Sequence, residues 1–254
     1  MFKLALKFIF LEIHFMRKHI PNMITSANLL CGCLAILAVT NQQVVSASLL
    51  VLLGAFFDFF DGLSARLLKV SSPIGAQLDS LADVVTFGLV PSFIALNQLE
   101  KYSSNEWVPY FALLIAVFSA IRLAKFNVDD RQTDQFIGLP TPANALFWVS
   151  IPLIQWQNVS FSSIVESQWI LLLFESPIVL VGLVVIFSYL LVAEIPLLAL
   201  KFKSWSWKGN ESRFLLLLFS VVLSSLFYFA AIPFILILYL ILSIIANRPK
   251  SHEI

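Results

Sequence analysis

The feature that most constrains this chain is a succession of apolar runs, each about the length needed to cross a bilayer. They fall at roughly 23–40, 44–69, 74–99, 107–126, 139–157, 172–200, 211–230 and 232–247. A helix rises about 1.5 Å per residue, so some 20 apolar residues span a hydrocarbon layer of about 30 Å. With 59% hydrophobic and 12% charged residues and a mean hydropathy of +0.91, the 254-residue chain reads as a polytopic membrane protein. The expected fold is all-α: an integral membrane helical bundle of about eight transmembrane helices plus an N-terminal interfacial helix. A count of six or seven stays open. The sixth run is long and either tilts or begins late, at Pro177, and Ala231-Ile232-Pro233 reads as a tight turn between the last two.

Residues 1–20 mix Lys3, Lys7, Arg17 and Lys18 with Phe2, Leu4, Phe8 and Phe10. A signal peptide needs an uninterrupted apolar core and a small-residue cleavage site; neither is evident, and a basic amphipathic helix in the membrane interface fits better. Organisation reads as one membrane domain over 1–254: the amphipathic helix 1–20, a catalytic six-span core 21–200, and two further spans with a tail, 201–254. The connections at 41–43, 100–106, 158–171 and around 231 hold only Lys101, while the other fifteen of the sixteen cations lie on the opposite side. The positive-inside rule then places both termini in the cytoplasm. A net charge of +1 gives no reason to expect nucleic acid. Cys31 and Cys33 sit in an apolar run and read as buried core thiols. Trp107, Trp169, Trp205 and Trp207 fit an interfacial belt.

Within this apolar background, residues 58–83 place four aspartates. Asp58 and Asp61, three apart, share one helix face, and Gly62 and Ala65 lie on or beside it. Gly75, Asp79 and Asp83, spaced four and four, form a stripe on the next helix, and the Ser71-Ser72-Pro73 turn folds that helix back on the first. By topology these carboxylates face the cytoplasm. Charge at membrane depth is costly and marks a functional site. Four carboxylates without a protein cation beside them point to bound metal, and all-oxygen ligation suits Mg2+ or Mn2+.

The pattern D-x2-D-G-x2-A-R-x8-G-x3-D-x3-D resembles, position for position, the signature of the CDP-alcohol phosphatidyltransferase family. The resemblance implies displacement of CMP from a CDP-linked lipid by an alcohol at a site holding two divalent cations. Carried onto this chain, Asp58, Asp61 and Asp79 are metal ligands, and Asp83 is a ligand or the general base, with base favoured. Asp61, Gly62, Ala65, Arg66 and Gly75 contact the CDP moiety, with Arg66 suited to a phosphate oxygen. Asn22, Thr25 and Asn28, three apart at the start of the first run, either reach the nucleotide or hydrogen-bond between helices; for Asn28 the nucleotide is favoured.

Residues 121–144, IRLAKFNVDDRQTDQFIGLPTPAN, carry a second resemblance. R-L-A-K-F-N followed by F-x-G-L-P-x-P-A is similar to the phosphatidylserine synthase branch of that family, found in bacteria and archaea. Lys125 stands where that branch more often has arginine, and Asn144 where it has a small residue. The implied partners are CDP-diacylglycerol, L-serine and the lipid bilayer of a cell membrane, with a homodimer as the family-level expectation. A serine carboxylate needs a cation, which assigns Arg122 or Lys125, with Asn127 beside them. Asp129, Asp130, Arg131 and Asp134 form a polar loop on the same side. Glu194 either snorkels or partners a basic group. Two alternatives stay open: the same chemistry with glycerol 3-phosphate or an inositol phosphate as acceptor, and a divalent-cation transporter using the acidic cluster.

Overall fold

The computed structural model describes residues 2–70, 72–129, 136–160, 168–198, 206–207 and 209–246, with side chains from residue 19 onward, except those of residues 136 and 168. It is helical apart from one two-residue strand pair. Among the described residues, five helical segments are long and apolar enough to cross a membrane: His19–Thr40, Val44–Leu68, Pro73–Tyr102, Val108–Val128 and Glu211–Ala246. The chain is a multi-pass membrane protein.

Helix α1 runs unbroken over Phe2–Thr40 with Pro21 inside it. The sequence expectation of a separate interfacial helix ending near residue 20 is therefore not met in the backbone. The side chains of residues 2–18, on which its amphipathic character rests, lie outside the described residues. A turn at Asn41–Gln43, with Gln42 at φ +62°, reverses the chain into α2 (Val44–Leu68). Helices α1 and α2 approach closely because their shared face carries Ala35, Ala38, Ala47 and Val51; small residues permit such contact where lipid offers no hydrophobic drive.

The third segment is composite: α3 (Pro73–Asp83), a π-helical turn over Val84–Leu89, and α4 (Val90–Tyr102). The wide turn begins directly after Asp83, a position where such irregularities often serve function. It is packed tightly against the side chains and glycines of its neighbours. A Cβ on Gly32 would stand 2.5 Å from Thr86 Oγ1, and one on Gly88 3.0 Å from Ser119 Cβ on α5 (Leu113–Val128).

Helix α6 (Thr141–Ser160) is not among the five apolar segments, yet it is central to the core. Phe147, Trp148, Ile151 and Ile154 are buried along it, with Phe147 stacked on Phe187 at 4.2 Å. It also buries Asn144, Ser150 and Gln157. Enclosed by protein, it does not need a uniformly apolar surface. Beyond α7 (Gln168–Phe174) the chain breaks at Glu175-Ser176, and α8 (Pro177–Val192) begins at Pro177, where its fixed φ suits a helix start. After Val192 the chain turns extended, and β1 (Phe136–Ile137) pairs antiparallel with β2 (Pro196–Leu197). This ends the run predicted over 172–200 eight residues early.

Helices α9 (Glu211–Phe227) and α10 (Ala231–Ala246) form a hairpin whose reversal lies at Tyr228–Ala230, with Tyr228 at φ +50°, not at 231–233. Pro233 sits in the first turn of α10, where a missing N–H leaves no bond unmade. Six of the eight runs of the sequence reading map onto the five apolar segments, the last two sharing Glu211–Ala246, while the runs at 139–157 and 172–200 correspond to the mixed-surface α6 and to the broken pair α7 and α8. Cys31 is buried, but Cys33 is exposed, because a two-residue step on a helix turns a side chain about 200° away. Trp107, Trp169 and Trp207 are exposed; Trp205 lies outside the described residues.

Candidate active site

The turn expected before the second aspartate helix is built residue by residue. Lys69 adopts the left-handed conformation that closes α2, Ser72 caps α3 by accepting the Gly75 N–H at 2.9 Å, and Pro73 takes the first helical position. Ser71 lies outside the described residues. Helix α3 then turns back against α1 so tightly that a Cβ on Gly75 would stand 2.8 Å from Asn22 Oδ1.

This fold-back brings the carboxylates together. One oxygen from each of Asp58, Asp61 and Asp79 lies within 4.8 Å of the others, in a half-buried setting. Three like charges at that spacing repel by about 3.5 kcal/mol per pair at an effective dielectric of 20, so the arrangement calls for a cation. In an octahedral Mg2+ shell, oxygens about 2.1 Å from the metal stand roughly 3 to 4.2 Å from one another. The observed spacing is close to that range, and the donor set is all oxygen. The residues fit a hard divalent cation. Asp83 is more deeply buried and comes against Asp58.

Helix α1 supplies two clamps. Thr25 Oγ1 donates to Asp61 Oδ2 at 2.6 Å, and Asn28 Nδ2 reaches Asp83 Oδ1 at 3.4 Å. Asn28 is fully buried and its Oδ1 has no partner. Asn28 thus stands beneath Asp83 and does not line the cleft, whereas Asn22 does. Sequence reasoning left both roles open for this trio because helix spacing shows which residues share a face, not what faces them.

Beside the carboxylates a cleft of about 210 Å3 is lined by Asp61, Asp79, Gly62, Ala65 and Gly75 together with Pro21 and Asn22. The small residues of the motif therefore border one space. A Cβ on Gly62 would meet nothing nearer than Arg66 Nη1, 3.6 Å away, so the Arg66 head sits over that glycine at the exposed rim. Asp58 is also on the wall of a separate chamber of about 720 Å3 between α2, α6, α9 and α10. It is lined mainly by Leu216, Leu217, Ile232 and Leu236, with Arg213 and Tyr239 also at its wall.

The residues expected to hold the acceptor divide. Arg122 is buried, donates to Thr141 Oγ1 at 3.2 Å and lies within Coulombic reach of Asp83. It lines a small recess with Lys125 and Glu194. Asn127 instead pairs with Ser80 on α3, donating to its Oγ at 2.9 Å, and so pins α5 to the aspartate helix. Asp130, Arg131 and Asp134 lie outside the described residues.

A family model described as CDP-alcohol phosphatidyltransferase matches residues 18–245. The chain belongs to the CDP-alcohol phosphatidyltransferase family, and is thereby a transferase. It is 41% identical over 128 residues to the CDP-diacylglycerol–serine O-phosphatidyltransferase of Bacillus subtilis, covering 49% of this chain and 70% of that protein. The enzymes of the same name from Helicobacter pylori and Methanocaldococcus jannaschii are 37% and 35% identical over 136 and 130 residues. Those matches cover 53% and 51% of this chain and 57% and 58% of the relatives.

Proposed function

We propose that the chain transfers the phosphatidyl group of CDP-diacylglycerol to L-serine, releasing CMP, at a site facing the cytoplasm. The observation that carries the reading is the convergence of Asp58, Asp61 and Asp79 beside a cleft floored by Gly62, Ala65 and Gly75. The names of the relatives point to serine, and the cation distribution along the chain supports the orientation.

In this reading Asp58, Asp61 and Asp79, with Asp83 adjoining, would hold two Mg2+ or Mn2+ ions. When bound, such ions supply charge neutralisation of the diphosphate and of the departing phosphate. Gly62, Ala65 and Gly75 leave room for the nucleotide, and Arg66 at the rim meets a phosphate oxygen. Asp83 takes the proton of the attacking hydroxyl. The new bond joins serine oxygen to the lipid-side phosphorus, and the bond from that phosphorus to CMP breaks. The apolar chamber beyond Asp58 takes an acyl chain of the lipid, which needs volume rather than a motif.

The test is CMP release by the purified protein with CDP-diacylglycerol, Mg2+ or Mn2+, and one alcohol at a time. Release with L-serine alone, lost in Asp79→Asn, is the expected result. Release with glycerol 3-phosphate alone would keep the site and overturn the acceptor.

A further inference from the structure

The recess beside Arg122 holds charge of both signs. Arg122 and Lys125 come from the last turns of α5, Asp129 follows at its C-terminal end with a partner of its own, and Glu194 comes from the segment between α8 and β2. Ile137, Leu191 and Val192 provide its apolar sides. Glu194 is held opposite α5 by a backbone latch. Leu139 N–H donates to Leu190 O at 2.8 Å, Gly138 N–H donates to Ile195 O at 3.0 Å, and Phe136–Ile137 pair with Pro196–Leu197. Gly138 is required here. Its φ of +75° lies in the left-handed region, and a Cβ would meet Leu191 O at 2.7 Å.

Lys125 and Glu194 share this recess of about 30 Å3, yet among the described residues they form no ion pair with each other. Opposite charges lining one recess but unpaired with each other suit the charged end of a zwitterion, whose remainder extends out of so small a space. A dianionic acceptor would meet Glu194 unfavourably, whereas a zwitterion satisfies both ends at once. We propose that this recess is the amino-acid end of the acceptor site. The α-carboxylate of the acceptor lies against Arg122 and Lys125, and its α-ammonium lies against Glu194. The inference rests on the serine-transfer reading and adds the ammonium-binding residue to it. Arg122 lies within electrostatic range of Asp83, and in this proposal the acceptor hydroxyl extends from the recess toward that carboxylate.

The test compares Glu194→Gln and Lys125→Gln with the unaltered full chain in a CMP-release assay, reading KM for L-serine and for CDP-diacylglycerol separately. Loss of one charge-assisted hydrogen bond predicts at least a tenfold rise in serine KM in each variant. KM for CDP-diacylglycerol stays within twofold, and Glu194→Asp recovers most of the loss. If a variant is inactive, the shift in melting temperature given by L-serine is measured instead, and an unreduced shift counts against the proposal. Serine KM unchanged in both variants would overturn the recess and leave serine transfer standing. An unaltered protein that releases CMP with glycerol 3-phosphate but not with serine would overturn both.

Discussion

Replacing Thr25 by valine tests whether α1 takes part in assembling the carboxylate site. The Thr25 hydroxyl has one proton and two acceptors in range, Pro21 O at 3.0 Å and Asp61 Oδ2 at 2.6 Å. The shorter distance falls in the range of a hydroxyl donating to a charged carboxylate, and both residues are buried. With Oδ2 held by Thr25, the Asp61 carboxylate is fixed in rotation, which sets its approach to Asp58 and Asp79. A hydrogen bond to a charged group is worth about 1.5–3 kcal/mol, or roughly ten- to hundredfold in a dissociation constant. Valine fills nearly the same space and removes only the hydroxyl. Mn2+ titration of the purified protein, followed by electron paramagnetic resonance, is expected to show a Kd at least tenfold weaker in Thr25→Val. Thr25→Ser, which restores the donor, returns it to within a few fold. A folded Thr25→Val with the Mn2+ affinity of the unaltered protein would refute the argument that this bond positions the ligand.

Three further outcomes follow from packing. Gly75→Ala puts a Cβ 2.8 Å from Asn22 Oδ1 and 2.9 Å from Ser72 Oγ. Displacing the Asn22 side chain in the cleft and unseating the Ser72 cap is expected to raise KM for CDP-diacylglycerol at least tenfold and to cost about 0.5–2 kcal/mol of stability, read by thermal melting. Gly54→Ala would meet Thr86 Cγ2 at 2.7 Å and Asn28 Oδ1 at 2.9 Å. Displacing Asn28 from Asp83 is expected to lower kcat severalfold with little change in lipid KM, and an unchanged kcat would separate Asn28 from catalysis. Ser220→Phe intrudes on the apolar chamber beyond Asp58. It is expected to favour short-chain over long-chain CDP-diacylglycerol in competition assays, and an unaltered preference would place the acyl chains elsewhere.

Much of the site was legible because helical geometry turns spacing into position. Residues three and four apart share a face, so Asp58 with Asp61, and Gly75 with Asp79 and Asp83, were assigned to common stripes before any fold was known. The turn signal at 71–73 was equally readable, since serine and proline act locally at a helix start. Apolar length marked the helices, and the alternative start at Pro177 is where α8 begins. Local pattern could not show that α6 is enclosed by protein, that α1 continues through Pro21, or that the last reversal falls at Tyr228 and not three residues later. Those depend on what packs outside each helix.

The sequence alone determined the membrane class, the two aspartate stripes and their family, because each follows from length, hydropathy or spacing along one helix. Tertiary structure decided which stripe residues meet. It set Thr25 against Asp61 and Asn28 under Asp83, moved Asn127 away to Ser80, and brought Glu194 from the end of α8 to the recess of Arg122 and Lys125. Contacts between residues 36, 55 or some 70 positions apart carry no signature in local periodicity. They exist only once helix packing and the backbone latch at Gly138 fix the distances between elements.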